Sequence, residues 1–192
     1  MKLWHLAHTE WKNIREKFEK KLNLCRRETD LRKFLTLHPW ILSLVFGGDE
    51  GEVFSEYLIG SGEHADHMIV HGRSLHLSIT LVELKRPQRV ILKSNGEPTS
   101  DFSAAQRQTT SRLAAINKDR QRFLSELKEN LRKLADEKSH SPYQGAIHDN
   151  FFDVLRFDDL DDFICSGKII IGRRADETLA ERKFRIDFFY RT

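Results

Sequence analysis

Cysteine is scarce in this chain. Two occur among 192 residues, Cys25 and Cys165. That is too few for a disulfide scaffold and fits a reducing compartment, and neither carries a local nucleophile signature. No apolar run reaches the length of a bilayer span. The opening MKLWHLAHTEWK has no apolar leader core. Together these absences read as a cytoplasmic protein without membrane contact. No internal repeat and no low-complexity tract is present, so solenoids and arrays are excluded. No glycine-rich phosphate loop appears, which argues against an NTPase, and no G-x-S-x-G elbow appears either. Charge of one sign is also in short supply: the net value is +3 with histidine neutral. Such a balance permits a polyanionic partner without demanding one.

What is present is charge of both signs. Asp, Glu, Lys and Arg make up 32% of the residues and apolar types 39%, the balance of a soluble globular protein. The length suits a single domain over 1–192, with N-terminal helices at about 9–46 and a core at about 53–192. Residues 9–25 read as a helix, with Thr9 at its start and Trp11, Ile14, Phe18 and Leu22 as an apolar stripe. Glu28 to Leu37 reads as a second helix, with Leu31, Phe34 and Leu35 inward and His38-Pro39 as its stop. Trp40, Ile41, Leu42 and Phe46 add core mass.

From Val53 the period changes to that of strands. Val53 to Ile59 and His64 to Val70 are candidates, and His71 to Ser74 is turn chemistry. The stretch LHLSITLVELKRP, Leu75 to Pro87, follows. Leu75, Leu77, Ile79 and Leu81 alternate as on a strand with a buried face. Glu83 and Lys85 continue that phase, so a carboxylate and an ammonium meet at the strand end. Pro87 stops the ladder. An acid and a base side by side there suit a metal site with a nearby cation. The last two strands form an antiparallel hairpin, and Asp66 and Glu83 fall at the same end of it. Pairing them directly has the parity that an even-length loop requires.

Val90 to Lys93 reads as a further short strand. A helix follows over about Asp101 to Asn117, with Phe102, Gln106, Thr109, Leu113 and Ile116 as its inward stripe. Gln106 on that face needs polar partners. Arg120 to Lys138 is a long helix with Phe123, Leu124, Leu127, Leu131 and Leu134 on one side. Ile147 to Leu155 reads as a short helix, and Lys168 to Gly172 and Phe184 to Tyr190 as strands. His64, His67, His71 and His76 could bind zinc, but their spacing follows a strand, so surface or strand-edge histidines are the better reading. The aspartates at 158, 159, 161 and 162 lack the glycine and terminal glutamate of a calcium loop.

Asp66, sixteen intervening residues, Glu83-Leu84-Lys85, then Gln106 on a following helix: this resembles the PD-(D/E)XK nuclease superfamily. LRKFLTLHPWIL, LVELKRP, SAAQRQT and KIIIGRR together look like the Shedu family of anti-phage nuclease domains, over about Glu28 to Tyr190. Two positions depart from the pattern. Ala65 stands where the superfamily has proline, and Thr110 where it often has tyrosine. The chain is also short for a Shedu protein.

The resemblance implies a restriction-endonuclease-like α/β core, a central mixed sheet flanked by helices. It implies a Mg²⁺-dependent endonuclease acting on DNA in anti-phage defence, with Mn²⁺ as a substitute. Asp66 and Glu83 would hold the metal with the backbone carbonyl of Leu84. Lys85 would position or deprotonate the attacking water, or stabilise charge, and Gln106 would orient Lys85 or the water. Arg86, Arg89 and Lys93 would grip flanking phosphates. Glu28 or Glu56 could supply a further acid. The alternative is a catalytically silent nucleic-acid-binding or assembly module with the same fold. A homo-oligomer is compatible with either.

Overall fold

Three consecutive strands form an antiparallel meander: β1 (Glu52–Ile59), β2 (Glu63–Arg73) and β3 (His76–Leu84). A fourth, β4 (Phe163–Ile170), joins β3 in parallel, so the sheet is mixed with order β1-β2-β3-β4. Helices α1 (His8–Leu24), α2 (Glu28–Leu37) and α3 (Trp40–Phe46) precede it, and α4 (Ser100–Lys118) and α5 (Arg120–Ser139) lie between β3 and β4 in sequence. The computed structural model describes residues 8–24, 27–46, 51–60, 62–73, 76–86, 89–139 and 163–170.

The sheet separates two apolar clusters. On one side Met68, Val70, Leu77, Ile79 and Leu81 pack with Ile116 of α4 and Phe123, Leu124, Leu127 and Leu131 of α5. On the other, Ile69, Val82 and Leu84 pack with Leu31 and Leu35 of α2 and Leu42 of α3. β3 is buried on both faces, as expected of a strand covered by helices on either side. Alternation along it directs Leu77, Ile79 and Leu81 to one cluster and Val82 and Leu84 to the other.

Local chemistry explains the flanking helices. α2 has Glu28 and Asp30 in its first turn, where the macrodipole favours acids, and buries Leu31 and Leu35 one turn apart. It stops at His38, whose N–H bonds back to Phe34 and Leu35 before Pro39 intervenes. α4 is capped by Thr99, whose side chain accepts from the Phe102 N–H at 3.4 Å. Its close seating on β4 depends on Gly167. A Cβ built there would lie 2.1 Å from Thr109 Cγ2. At the start of β4, the Arg120 guanidinium sits 4.0 Å over the Phe163 ring and donates to the Phe163 carbonyl.

Several expectations need correction. Val90 to Lys93 forms no strand; Leu92 makes only an isolated bridge with Pro98. Trp40 to Phe46 is a helix, too short to show a period. His71 to Arg73 belong to β2, because the ladder continues to Arg73 and His76. The Lys168 strand begins earlier, at Phe163, where Cys165 and Ser166 masked its apolar character. Thr9 lies inside α1, which starts at His8. Of the α1 stripe, Phe18 is seen against Phe34, ring centroids 5.6 Å apart. The Ile147 helix, the acidic residues 158–162 and the Phe184 strand lie outside the described residues. Among the described residues no helix is long and apolar enough to cross a membrane.

Candidate active site

The end of β3 carries the site. The β2–β3 ladder ends at His67 and Val82, which leaves Asp66 and Glu83 as the next residue on each strand. Glu83 is 3% exposed and Asp66 8%. Lys85 Nζ lies 2.7 Å from Glu83 Oε1, as their shared strand phase implies. The backbone holds this end in place, because Lys85 N–H donates to the Ile170 carbonyl at 2.8 Å.

Two helices bring what the strand lacks. From α2, Glu28 places Oε2 3.7 Å from Lys85 Nζ, and Arg32 Nη1 lies 3.3 Å from Asp66 Oδ1. The same Arg32 nitrogen is 3.2 Å from Glu56 Oε1 on β1. From α4, Arg112 donates to Glu83 Oε2, and its Nε is 3.8 Å from Glu63 Oε2. Asp66 Oδ2 accepts from the Leu84 N–H at 2.8 Å. Carboxylates of Glu28, Glu56, Glu63, Asp66 and Glu83 thus surround the cations Lys85, Arg32 and Arg112, leaving negative charge in excess.

Burial opposes the charge on Lys85, but the hydrogen bond and charge of Glu83 outweigh it, helped by Glu28 and Asp66. Its pKa is held above the usual lysine value, so it is an ammonium at neutral pH. Burial pushes Glu28 above the ordinary carboxylate range, and Lys85 only partly offsets this.

The other sequence candidates separate. Gln106 is half-buried on the flank of α4, and among the described residues it bonds to none of Asp66, Glu83 or Lys85. The buried stripe of α4 keeps Phe102, Thr109 and Ile116 as expected, with Ala105 and Arg112 in place of Gln106 and Leu113. Leu113 is half-buried beside it. Arg89 pairs with Asp101 at 2.8 Å and Lys93 with Glu97 at 3.1 Å, both on the surface. Arg86 is exposed.

Among the described residues, His64, His67 and His71 do not form a metal-binding group. His67 and His71 are buried, contrary to the surface reading, because β2 is covered on both faces. His64 holds the Glu56 carbonyl at 3.0 Å. His67 contacts Ser55 Oγ at 3.1 Å, and burial pushes its imidazole down to about 4, so it is neutral. Among the described residues no group of three or more His, Cys, Asp or Glu is arranged around a metal position. Arg32 and Arg112 were not singled out from sequence. A usable signal for Arg112 was its spacing, three residues after Thr109 and four before Ile116.

The family model described as Shedu protein SduA, C-terminal, matches residues 26–190. The chain belongs to this family. Membership suggests a role in anti-phage defence. The match spans α2 to β4 and contains every residue of the cluster at the end of β3. No curated protein matches this Shedu chain.

Proposed function

We propose that this Shedu chain is a Mg²⁺-dependent endonuclease of the PD-(D/E)XK type, acting on DNA in the cytoplasm as part of anti-phage defence. The observation that carries the reading is the meeting of Glu83 and Lys85 at 2.7 Å, with Asp66 and Glu28 both close enough to raise the Lys85 pKa. The donor set suits the metal: Mg²⁺ prefers hard oxygen ligands and needs only one or two carboxylates besides water and phosphate. Two further carboxylates, Glu56 on Arg32 and Glu63 on Arg112, leave the cluster as a whole with negative charge in excess, which favours a divalent cation as well. Held by Asp66 and Glu83, with the Leu84 carbonyl as a further donor, Mg²⁺ would neutralise phosphate charge and activate a water.

The chain's own groups have separate tasks. Lys85, held protonated in the metal-free site, would position the attacking water or stand beside the reacting phosphate as a fixed positive charge. Glu83 orients that ammonium through Oε1. Asp66 is fixed by the Leu84 N–H. Arg86 is the first cation beyond the site and suits a flanking phosphate. Gln106 keeps a role only if substrate draws it inward.

A second reading has an observation of its own. All four carboxylate oxygens of Asp66 and Glu83 already hold a protein donor. Such a locked cluster fits a nucleic-acid-binding or assembly module as well. Incubation with duplex DNA, single-stranded DNA and RNA, with and without Mg²⁺ or Mn²⁺, separates the two. We expect metal-dependent cleavage of DNA that Lys85→Ala lowers by about two to four decades while binding persists. Equal cutting by the Lys85 variant would remove Lys85 from the reaction, and no cutting of any nucleic acid by the parent would favour the binding module instead.

A further inference from the structure

We infer that Glu56 is a positioning residue for Asp66, acting through a bend in β1 that releases Asp66 from the sheet ladder. The functional weight of this inference rests on Asp66 being a site carboxylate, as proposed above; the geometry does not.

Glu56 has a backbone φ of 53°, in the left-handed region, while the other positive values among the described residues fall on Gly60, Gly62 and Gly96. The conformation is costly for a residue with a Cβ. It occurs inside an eight-residue strand and not in a turn. The β1–β2 pairing runs through Ser55↔His67, skips Glu56 and Asp66, and resumes at Tyr57↔Ala65.

The skip re-phases both strands. Val53 and Ile69 pack toward α2 and α3, whereas Tyr57 and Ala65, each four residues away along its strand, pack toward α4 and α5. Strict alternation would keep residues four apart on one face. The inversion falls at Glu56 and Asp66.

Asp66 uses the freedom. Its Oδ2 takes the Leu84 N–H at 2.8 Å, and its Oδ1 faces Arg32 at 3.3 Å. The bend is also internally satisfied, since His64 Nδ1 meets the Glu56 carbonyl at 3.0 Å. The Glu56 side chain is 60% exposed, so it adds little to the core, yet its Oε1 shares the Arg32 nitrogen that faces Asp66. An extended residue at 56 would favour the unbroken ladder and turn Asp66 away from Leu84.

The test is the Leu84 amide, followed by NMR and hydrogen exchange in the whole chain without metal. Glu56→Gly tolerates the left-handed backbone and should keep Leu84 protection within about twofold of the parent, with a melting temperature at or above it. Glu56→Val disfavours that backbone. It should lower protection about tenfold, toward the level of Asp66→Ala, the scale of one lost hydrogen bond. Glu56→Thr, also β-branched but polar, should lower protection in the same direction and serves if the valine variant does not fold. Parent-like Leu84 protection in whichever of Glu56→Val and Glu56→Thr folds would overturn the inference. Mn²⁺ calorimetry on the same variants tests the site reading separately. Failure of the parent and Asp66→Asn to differ in Mn²⁺ affinity would remove the metal reading and leave the Leu84 result to decide whether Glu56 positions Asp66.

Discussion

Glu83 holds a cation on each oxygen, Lys85 on Oε1 and Arg112 on Oε2, and it is almost wholly buried. Removing one partner of such a group leaves charge without compensation in a medium that solvates it poorly. We expect Arg112→Met to lower unfolding free energy by about 3 kcal/mol, measured by urea denaturation. Combining it with Glu83→Gln should cost less than the two single changes added together. A loss under about 1 kcal/mol would mean that Lys85 alone suffices for Glu83. Cys165 makes a contrasting case. Burial pushes its thiol up to about 12, with Arg120 only partly opposing, so almost no thiolate exists near neutrality. Native Cys165 should react with iodoacetamide at pH 8 roughly three decades more slowly than in the urea-unfolded chain, read by peptide mapping. Equal rates in the two states would show an accessible, unperturbed thiol.

Among elements, the contact between α4 and β4 sets where Arg112 arrives. Thr109 crosses β4 at Gly167, three residues before Arg112 on the same helix. Gly167→Ala would force a methyl group into Thr109 Cγ2, and a packed core resists such overfilling. We expect a loss of about 1–3 kcal/mol by chemical denaturation, much of it recovered in Gly167→Ala with Thr109→Ala. Simple additivity of the pair would show that the helix is seated by other contacts. Thr109 Oγ1 is buried with no hydrogen-bond partner among the described residues, so losing that hydroxyl should itself cost little.

For the whole molecule, the sheet is the partition that brings α2 to one side of the strand end and α4 to the other. Lys85 and Asp66 face α2 partners, Glu28 and Arg32, while Glu83 also faces Arg112 of α4. The surface beyond the site is mixed in sign, since Arg89 and Lys93 each have an acidic neighbour. If nucleic acid binds here, Arg86→Ala should weaken binding more than Lys93→Ala and reduce the salt slope by about one, measured by fluorescence anisotropy across a salt series. A larger effect at Lys93 would move the contact surface away from the end of β3.

The sequence by itself determined what depends on neighbours in the chain. Helix faces, the phase of β3 and the meeting of Glu83 with Lys85 all follow from periods of 3.6 and 2 over a few residues. The parity of the hairpin likewise set Asp66 at the same end as Glu83. Only the tertiary structure decided which cations and acids complete the cluster. Arg32 reaches Asp66 across 34 residues of sequence and Arg112 reaches Glu83 across 29, and no local period encodes which helix crosses which face of a sheet. The bend at Glu56 was hidden for a related reason. A period-2 reading assumes an unbroken ladder, and the skipped pair that frees Asp66 exists only when β1 and β2 lie side by side.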